Sequence, residues 1–320
     1  MRHDAPGDLA GRVVHAFAPG GVGNLGPGLD ILGCAVTGPG DGVRARRIDQ
    51  PGVRIDAPGH PELTRDPTKH AAGIAALAVL RRAGASDVGF AFEIEKGLPL
   101  AGGQGGSAAS AVAGAMAANA LLDEPFDRAE LLVAALEAEE QLAGRHIDNV
   151  APALFGGILL IRSIDPLDVI QLPVPSALRF AIVHPRMQLR TADARAVLPD
   201  VVDRATALAQ AAAVAALVAA LYTRDLSRLR GAIDDRIAEP VRAPMLTGFV
   251  KAKQAALDAG ALGCSISGAG PSSFAIAEGD GAAERVMHAM VRAYIEAGVP
   301  AAGRVARVDE QGARVDEIRP

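Results

Sequence analysis

Residues 99–110 read PLAGGQGGSAAS, and an alanine-rich segment follows them directly. Gly102, Gly103, Gly105 and Gly106 leave this stretch almost bare of side chains, so its backbone N–H groups are open to a ligand. The helix expected from about Ser107 to Leu122 begins with unpaired N–H donors and a partial positive charge of roughly half an elementary unit. A glycine loop leading into such a helix is an anion site, and phosphate is the usual anion. The small residues Ala108, Ala109, Ala111 and Ala113 let the helix approach its neighbours closely. A plain turn is the competing reading, but a strand before the loop and a helix after it favour a nucleotide site.

The rest of the chain narrows the class. A length of 320 residues suggests two domains. Half the residues are hydrophobic, 22% are charged, and 32 basic against 37 acidic residues give a net charge of −5. No long run of either sign points to nucleic acid or to an anionic membrane as partner. Cys34 and Cys264 are too few and too far apart for a disulfide framework or a metal spacing, so a reducing, cytoplasmic setting is expected. The start, MRHDAPGDLAG, has no apolar core of a signal peptide and reads as a flexible tail. Ala205–Tyr222 is uncharged, but it is mostly alanine with Thr206 and Gln210. It reads as a close-packed buried helix rather than a membrane span.

Along the chain, strands are expected over 12–18, 43–48, 53–55, 88–94 and 158–161, with a glycine loop over 19–28 and a turn at Thr37–Gly42 (TGPGDG). Helices are expected over 70–83 and 126–142. Residues 165–175, with three prolines, read as a linker or edge segment, and the domain boundary is placed there, giving 1–170 and 171–320. The second half reads as strand, then helices near 191–197, 201–222, 226–238 and 245–259. A strand–loop–strand follows over 262–277, then a helix at 281–297 and a last strand near 303–308. This mixed order predicts α+β architecture in both halves.

Two better-known phosphate loops do not fit. The P-loop needs Gly-Lys followed by Ser or Thr, which is absent. Gly21-Val22-Gly23-Asn24-Leu25-Gly26 matches the dinucleotide fingerprint, but Pro27, Gly28, Gly33, Gly38 and Pro39 leave no room for the helix that must begin within it.

Three segments, in order, resemble the three motifs of the GHMP kinases: Pro19–Gly33 (PGGVGNLGPGLDILG), the opening stretch with its helix (PLAGGQGGSAASAVAG), and Gly260–Phe274 (GALGCSISGAGPSSF). Within that superfamily the residues are most similar to the homoserine kinase branch. NLGPGLDILG, His146–Gly157 (HIDNVAPALFGG), Arg195 in ARAVLP and Arg242 in EPVRAP carry that likeness. The resemblance implies a two-domain fold. Its N-terminal domain would contain a left-handed βαβ unit and its C-terminal domain would be ferredoxin-like, with the site between them. It implies transfer of the γ-phosphoryl group of ATP to the hydroxyl of L-homoserine in threonine biosynthesis, with Mg²⁺, and a homodimer.

Carried over by motif, ATP would be held by Pro99, Leu100, Ala101, Gly102, Gly103, Gln104, Gly105, Gly106, Ser107, Ala108 and Ala109, with His70 near the adenine. Asp30 and Asp148 would hold the substrate ammonium group, and Arg195 and Arg242 would clamp its carboxylate, where guanidinium geometry allows paired hydrogen bonds. Asn24 and Asn149 would orient its hydroxyl and the backbone. Ser107, Asp148 and Asn149 are the candidate catalytic residues, with no dedicated base: the phosphate itself would receive the proton. Ser107 and one glutamate would bind Mg²⁺; Glu137, Glu139 and Glu140 compete, and Glu139 is taken. Some positions depart from the family pattern. Gly106 stands where a serine is usual, Gln104 where leucine is usual, His70 where asparagine is common and Ala238 where histidine is frequent, and Gly20–Gly23 replace a run that contains threonine. Two other readings are a kinase for a mevalonate-like or sugar alcohol and a non-catalytic binding protein of the same fold.

Overall fold

In the computed structural model, residues 11–318 are described; the tail expected at residues 1–10 lies outside them. The first half runs β1 (Val13–Gly23), β2 (Leu32–Ile48), β3 (Gly52–Ala57), α1 (Ala71–Arg82), β4 (Gly89–Lys96), α2 (Gly106–Asn119), α3 (Arg128–Leu142), α4 (Val150–Phe155), β5 (Ile158–Ile164) and β6 (Leu167–Leu172). The second half runs β7 (Leu178–Pro185), α5 (Thr191–Ala196), α6 (Arg204–Thr223), α7 (Glu239–Arg242), α8 (Phe249–Asp258), β8 (Gly263–Ile266), β9 (Ser273–Glu278), α9 (Asp280–Glu296), β10 (Ala301–Ala306) and β11 (Arg314–Ile318).

The strands form two sheets. The larger has the order β11-β1-β2-β4-β3, with β5 also pairing β2 and β6 added on β5. Only β3 and β4 are parallel in it, joined through α1 as a βαβ unit. The smaller, β10-β7-β9-β8, is antiparallel throughout and carries α8 and α9, which is the ferredoxin-like arrangement. Side-chain alternation splits its faces. Phe180, Ile182, Phe274 and Ile276 turn toward β2, β5 and α6, while Ala181, Val183, Ala275 and Ala277 turn toward α8 and α9. The main core lies between the larger sheet and α1, α2 and α3, and is built largely of alanine.

Several expectations change. The loop at 19–28 and the turn at 37–42 are partly strand: Pro19, Ala18 and Phe17 pair with Gly40, Asp41 and Gly42 in one continuous β2. The register jumps between Pro19 and Gly21, so the residues around Val36–Pro39 bow outward, and Thr37 N instead donates to Arg307 O at 2.8 Å. Gly33 is required here by proximity, since a Cβ would stand 1.7 Å from the Asp148 carbonyl. Residues 226–238 are not one helix. A short 3-10 turn at Leu226–Leu229 gives way to a loop, because buried Asp235 draws the N–H groups of Ile237, Ala238 and Glu239 to its own carboxylate. Helix α6 is not close-packed all round: Gln210, Ala213, Leu217, Ala220 and Leu221 are buried, whereas Leu208 and Tyr222 are exposed. Among the described residues it is the one helix long and apolar enough to cross a membrane by length and composition. Residues 165–175 hold β6, which pairs only with β5. A division at 170/171 cuts β6 and leaves out β11, the strand from the chain's end that pairs with β1 in the larger sheet.

Candidate active site

The loop between β4 and α2 is shaped by left-handed backbone at Ala101 (φ 47°), Gly103 (φ 73°) and Gly105 (φ 72°). Gly105 is the N-cap of α2 and offers no side chain to it, so the first N–H groups of the helix face outward unsatisfied by a cap. They open on a cavity of about 320 Å³ lined by Pro99–Gly103 and Gly105–Ala108. Leu63, Leu142 and Ala143 add apolar wall, and Gly268–Gly270 reach in from the loop between β8 and β9.

The same cavity is lined by Asn24, Asp30, Glu139, His146, Asp148, Asn149, Thr191, Arg195 and Arg242. Asp148 is buried and engaged at both oxygens. It accepts from Asn24 N (3.2 Å) and from Asn149 Nδ2 (3.2 Å), and its other oxygen lies 3.1 Å from His146 Nδ1. Asn24 and Asp30 both have left-handed backbone, φ 66° and 61°, a conformation that Asn and Asp tolerate best among residues with a side chain. Their turn is closed by Asp30 N donating to Asn24 Oδ1 at 3.0 Å. Asp30 then receives both ends of the Arg195 guanidinium, at 2.6 and 3.2 Å. Arg242 is 3% exposed and donates to the carbonyls of Ala194 (3.0 Å) and Gly268 (3.2 Å). Burial, and then the neighbouring Arg195, lower its pKa, and among the described residues it has no ion-pair partner.

Buried polar groups are almost always hydrogen-bonded, so those that are not call for an explanation. Four such atoms gather in one place: Glu139 Oε2, His146 Nε2, Asn149 Oδ1 and Arg195 Nε are buried without a hydrogen-bond partner among the described residues. Burial, more than any other cause, pushes the Glu139 carboxyl up to about 7, against the opposing charge of His146. For His146, burial works toward the neutral form, but the hydrogen bond and charge of Asp148 and the charge of Glu139 outweigh it and raise its pKa.

The other two glutamates of α3 turn away. Glu137 pairs with Arg81 and Arg82 at the surface, and Glu140 pairs with Arg145. An orphaned carboxylate oxygen beside the Ser107 end of α2 is a donor set that fits Mg²⁺, which prefers oxygen and keeps several waters. Asp30, His146 and Asp148 also bring ligand atoms within 4.8 Å of one another. They fit less well, because Asp30 is committed to Arg195 and an imidazole is a poor ligand for Mg²⁺.

Three expected ATP residues are not in the cavity. His70 caps α1: its Nδ1 accepts from Ala72 N at 3.2 Å and its Nε2 lies 3.3 Å from Pro58 O, which spends both ring nitrogens. Ala109 is fully buried inside the helix packing. Gln104 points out of the back of the loop, to Ser272 and Arg304. Conversely, His146, Thr191, Gly268 and Lys96 line the cavity and were not among the expected site residues. His146 carried a signal in the H-x-D-N segment; Lys96 and Thr191 carried none that a single sequence reveals.

Lys96 belongs to a second polar cluster beneath the loop. Its ammonium group pairs with buried Asp41 and donates to Gly106 O (3.2 Å) and Ser110 Oγ (3.1 Å). Asp41 also accepts from Ser110 Oγ at 2.6 Å and from the N–H groups of Gly97 and Leu98, both at 3.2 Å.

The model of the GHMP kinases N terminal domain matches residues 69–157, and that of the GHMP kinases C terminal region matches 217–296. The chain belongs to the GHMP kinases. Among its relatives, a homoserine kinase of Chlorobium phaeobacteroides is 41% identical over 95% of this chain and 99% of its own length. The homoserine kinase of Arabidopsis thaliana is also 41% identical, over 94% of this chain and 84% of its own length. The crystal structure of homoserine kinase from Cytophaga hutchinsonii superposes with a TM-score of 0.92 at 41% identity, covering 99% of this chain and all of that one. Within the GHMP kinases this chain therefore falls in the homoserine kinase family. A Lactococcus lactis galactokinase, at 18% identity and a TM-score of 0.71, shares the fold alone.

Proposed function

We propose that this chain transfers the γ-phosphoryl group of ATP to the hydroxyl of L-homoserine, the step toward threonine that its relatives' name implies. The observation that carries the reading is the make-up of one cavity: bare helix N–H groups, and orphaned buried polar atoms grouped with two carboxylates and two arginines. The helix N–H groups suit a polyphosphate, and the carboxylates with the arginines suit a small zwitterion with one hydroxyl. A sugar would leave the arginines without an anion.

Phosphoryl transfer depends mainly on positioning and charge stabilisation. The loop N–H groups at 101–108 cradle the phosphates, and the Ser107 hydroxyl and Glu139 hold Mg²⁺. When bound, the ion offsets negative charge on the transferring phosphate. Arg242, buried and without an ion pair, takes the substrate carboxylate. Arg195 contributes to the same end while tied to Asp30, and Asp30 with Asp148 supplies the negative charge for the ammonium group. Asn149 Oδ1, buried and unpartnered, accepts from the reacting hydroxyl. Asp148 is engaged by Asn24 and Asn149 at one oxygen and faces His146 at the other, which ties it to positioning rather than to proton abstraction. The proton passes instead to the transferring phosphate. A cytoplasmic homodimer is part of the same proposal.

The test is ADP release measured with L-homoserine, mevalonate, galactose or no acceptor. Acceptor-dependent ADP is expected with homoserine alone. ADP with galactose or mevalonate would reassign the acceptor, and none with any of them would leave a binding protein.

A further inference from the structure

Gln104 is the residue of the phosphate loop whose side chain the reaction does not use. It sits 5% exposed in a cleft of about 410 Å³ behind the loop, shared with Pro39, Ile182, His184 and Arg304. Its Nε2 donates to Ser272 Oγ at 3.2 Å, and its Oε1 accepts from Arg304 Nη2 at 3.2 Å. Both partners are themselves held. Ser272 Oγ lies 3.1 Å from His184 Nδ1, and Ser272 N donates to the Gly102 carbonyl at 3.3 Å. Arg304 Nη1 donates to Thr37 O at 2.8 Å, and among the described residues no carboxylate pairs with that guanidinium. The Gln104 carbonyl accepts from Gly21 N at 3.0 Å, so the residue is tied to β1 by its backbone and to the smaller sheet by its side chain. Its neighbour is pinned as well, through Ser267 Oγ donating to Gly103 O at 2.7 Å.

We infer that Gln104 is a positioning residue: it latches the phosphate loop to the ferredoxin-like domain through Ser272 and Arg304, and so sets the loop geometry that ATP meets. The inference rests on the phosphate-loop reading proposed above. A leucine, the residue usual in the family, would fill the same volume. It would also leave the Arg304 donor and the Ser272 acceptor that face the amide unsatisfied in this chain, so the polar latch and its two partners work as one unit.

The experiment is steady-state kinetics on Gln104→Leu, Gln104→Glu, Arg304→Met and the Gln104→Leu/Arg304→Met pair, with Ser107→Ala alongside. Gln104→Leu is expected to raise KM for ATP about tenfold, the worth of one or two buried hydrogen bonds, with KM for homoserine within about twofold. Gln104→Glu keeps an acceptor for Arg304 and for the Ser272 hydroxyl, and is expected to return KM for ATP to within about threefold of wild type. In the Arg304→Met background Gln104→Leu should add less than about twofold, because the two act through one contact. Should Gln104→Leu not fold, Arg304→Met alone must still raise KM for ATP severalfold. An unchanged KM for ATP, an equal rise in both KM values, a Glu variant as poor as Leu, or multiplying effects in the pair would overturn the latch. Near-normal Ser107→Ala overturns the phosphate-loop reading and the latch together. An impaired Ser107→Ala with any of the other failures sinks the latch alone.

Discussion

Two buried polar clusters flank the glycine loop, and they keep opposite accounts. Beneath it, the carboxylate of Asp41, the ammonium of Lys96 and the hydroxyl of Ser110 bond to one another and to the loop backbone. In front of it, Glu139, His146, Asn149 and Arg195 each leave a buried atom without a partner. Chemistry of the same kind does two jobs. A closed network holds the chain in place, and an open one is destabilising until something else completes it. The contrast separates residues that shape the site from residues that meet the ligand.

The comparison can be broken most sharply from below. Asp41→Ala strands a buried ammonium group, and is expected to lower stability by about 3–5 kcal/mol in denaturant melts, taking activity with it. If it melts like wild type, the lower cluster is not structural. In front, Glu139→Gln should do the reverse. It removes an orphaned charge, so the midpoint should stay equal or rise, while kcat/KM falls on the order of a hundredfold through lost handling of Mg²⁺. A melt that drops along with activity would merge the two clusters into one class. Ser107→Ala should cost a similar or slightly smaller factor in kcat/KM at unchanged stability. With Gly106 beside it, Ser107 is the one hydroxyl at residues 99–109.

The smallest effect concerns His70, the N-cap residue of α1. Burial is the main reason its pKa is lowered, so the folded state favours neutral imidazole. Its contribution is present above the unfolded pKa of about 6.5 and is lost as pH falls below that value. His70→Asn keeps an N-cap and removes the titration. Wild type should therefore lose Tm relative to the variant between pH 7 and pH 5, with KM for ATP alike in both. A constant gap in Tm across that range would show that His70 carries no proton linkage.

What could be read from residues alone was whatever depends on neighbours in sequence. Gly102–Ser107 before an alanine run marks a helix N-terminus open to anions, and the structure has that local geometry. The H-x-D-N segment and the two arginine segments do meet in one cavity. What stayed hidden depends on partners far along the chain. TGPGDG looks like a turn until Gly40 and Gly42 are seen to pair with β1 and Thr37 with Arg307. Asp30 and Arg195 are expected to share a ligand, and nothing in the residues alone shows that they also pair with each other across 165 positions. Gln104 looked like a loop residue for ATP, yet its side chain reaches partners at 272 and 304. Asp41 gave no sign at all, since a lone aspartate between glycines reads as solvent-facing until Lys96 is brought beside it.

The final strand of the chain, Arg314–Ile318, closes the sheet that the first strand begins. On the ribosome, β1 must therefore wait through the synthesis of some three hundred residues with one edge unpaired. An open edge of that kind is a template for another chain. The order of translation thus leaves this edge of β1 open until β11 has been made. A fragment cut at the apparent middle of the molecule inherits the open edge permanently.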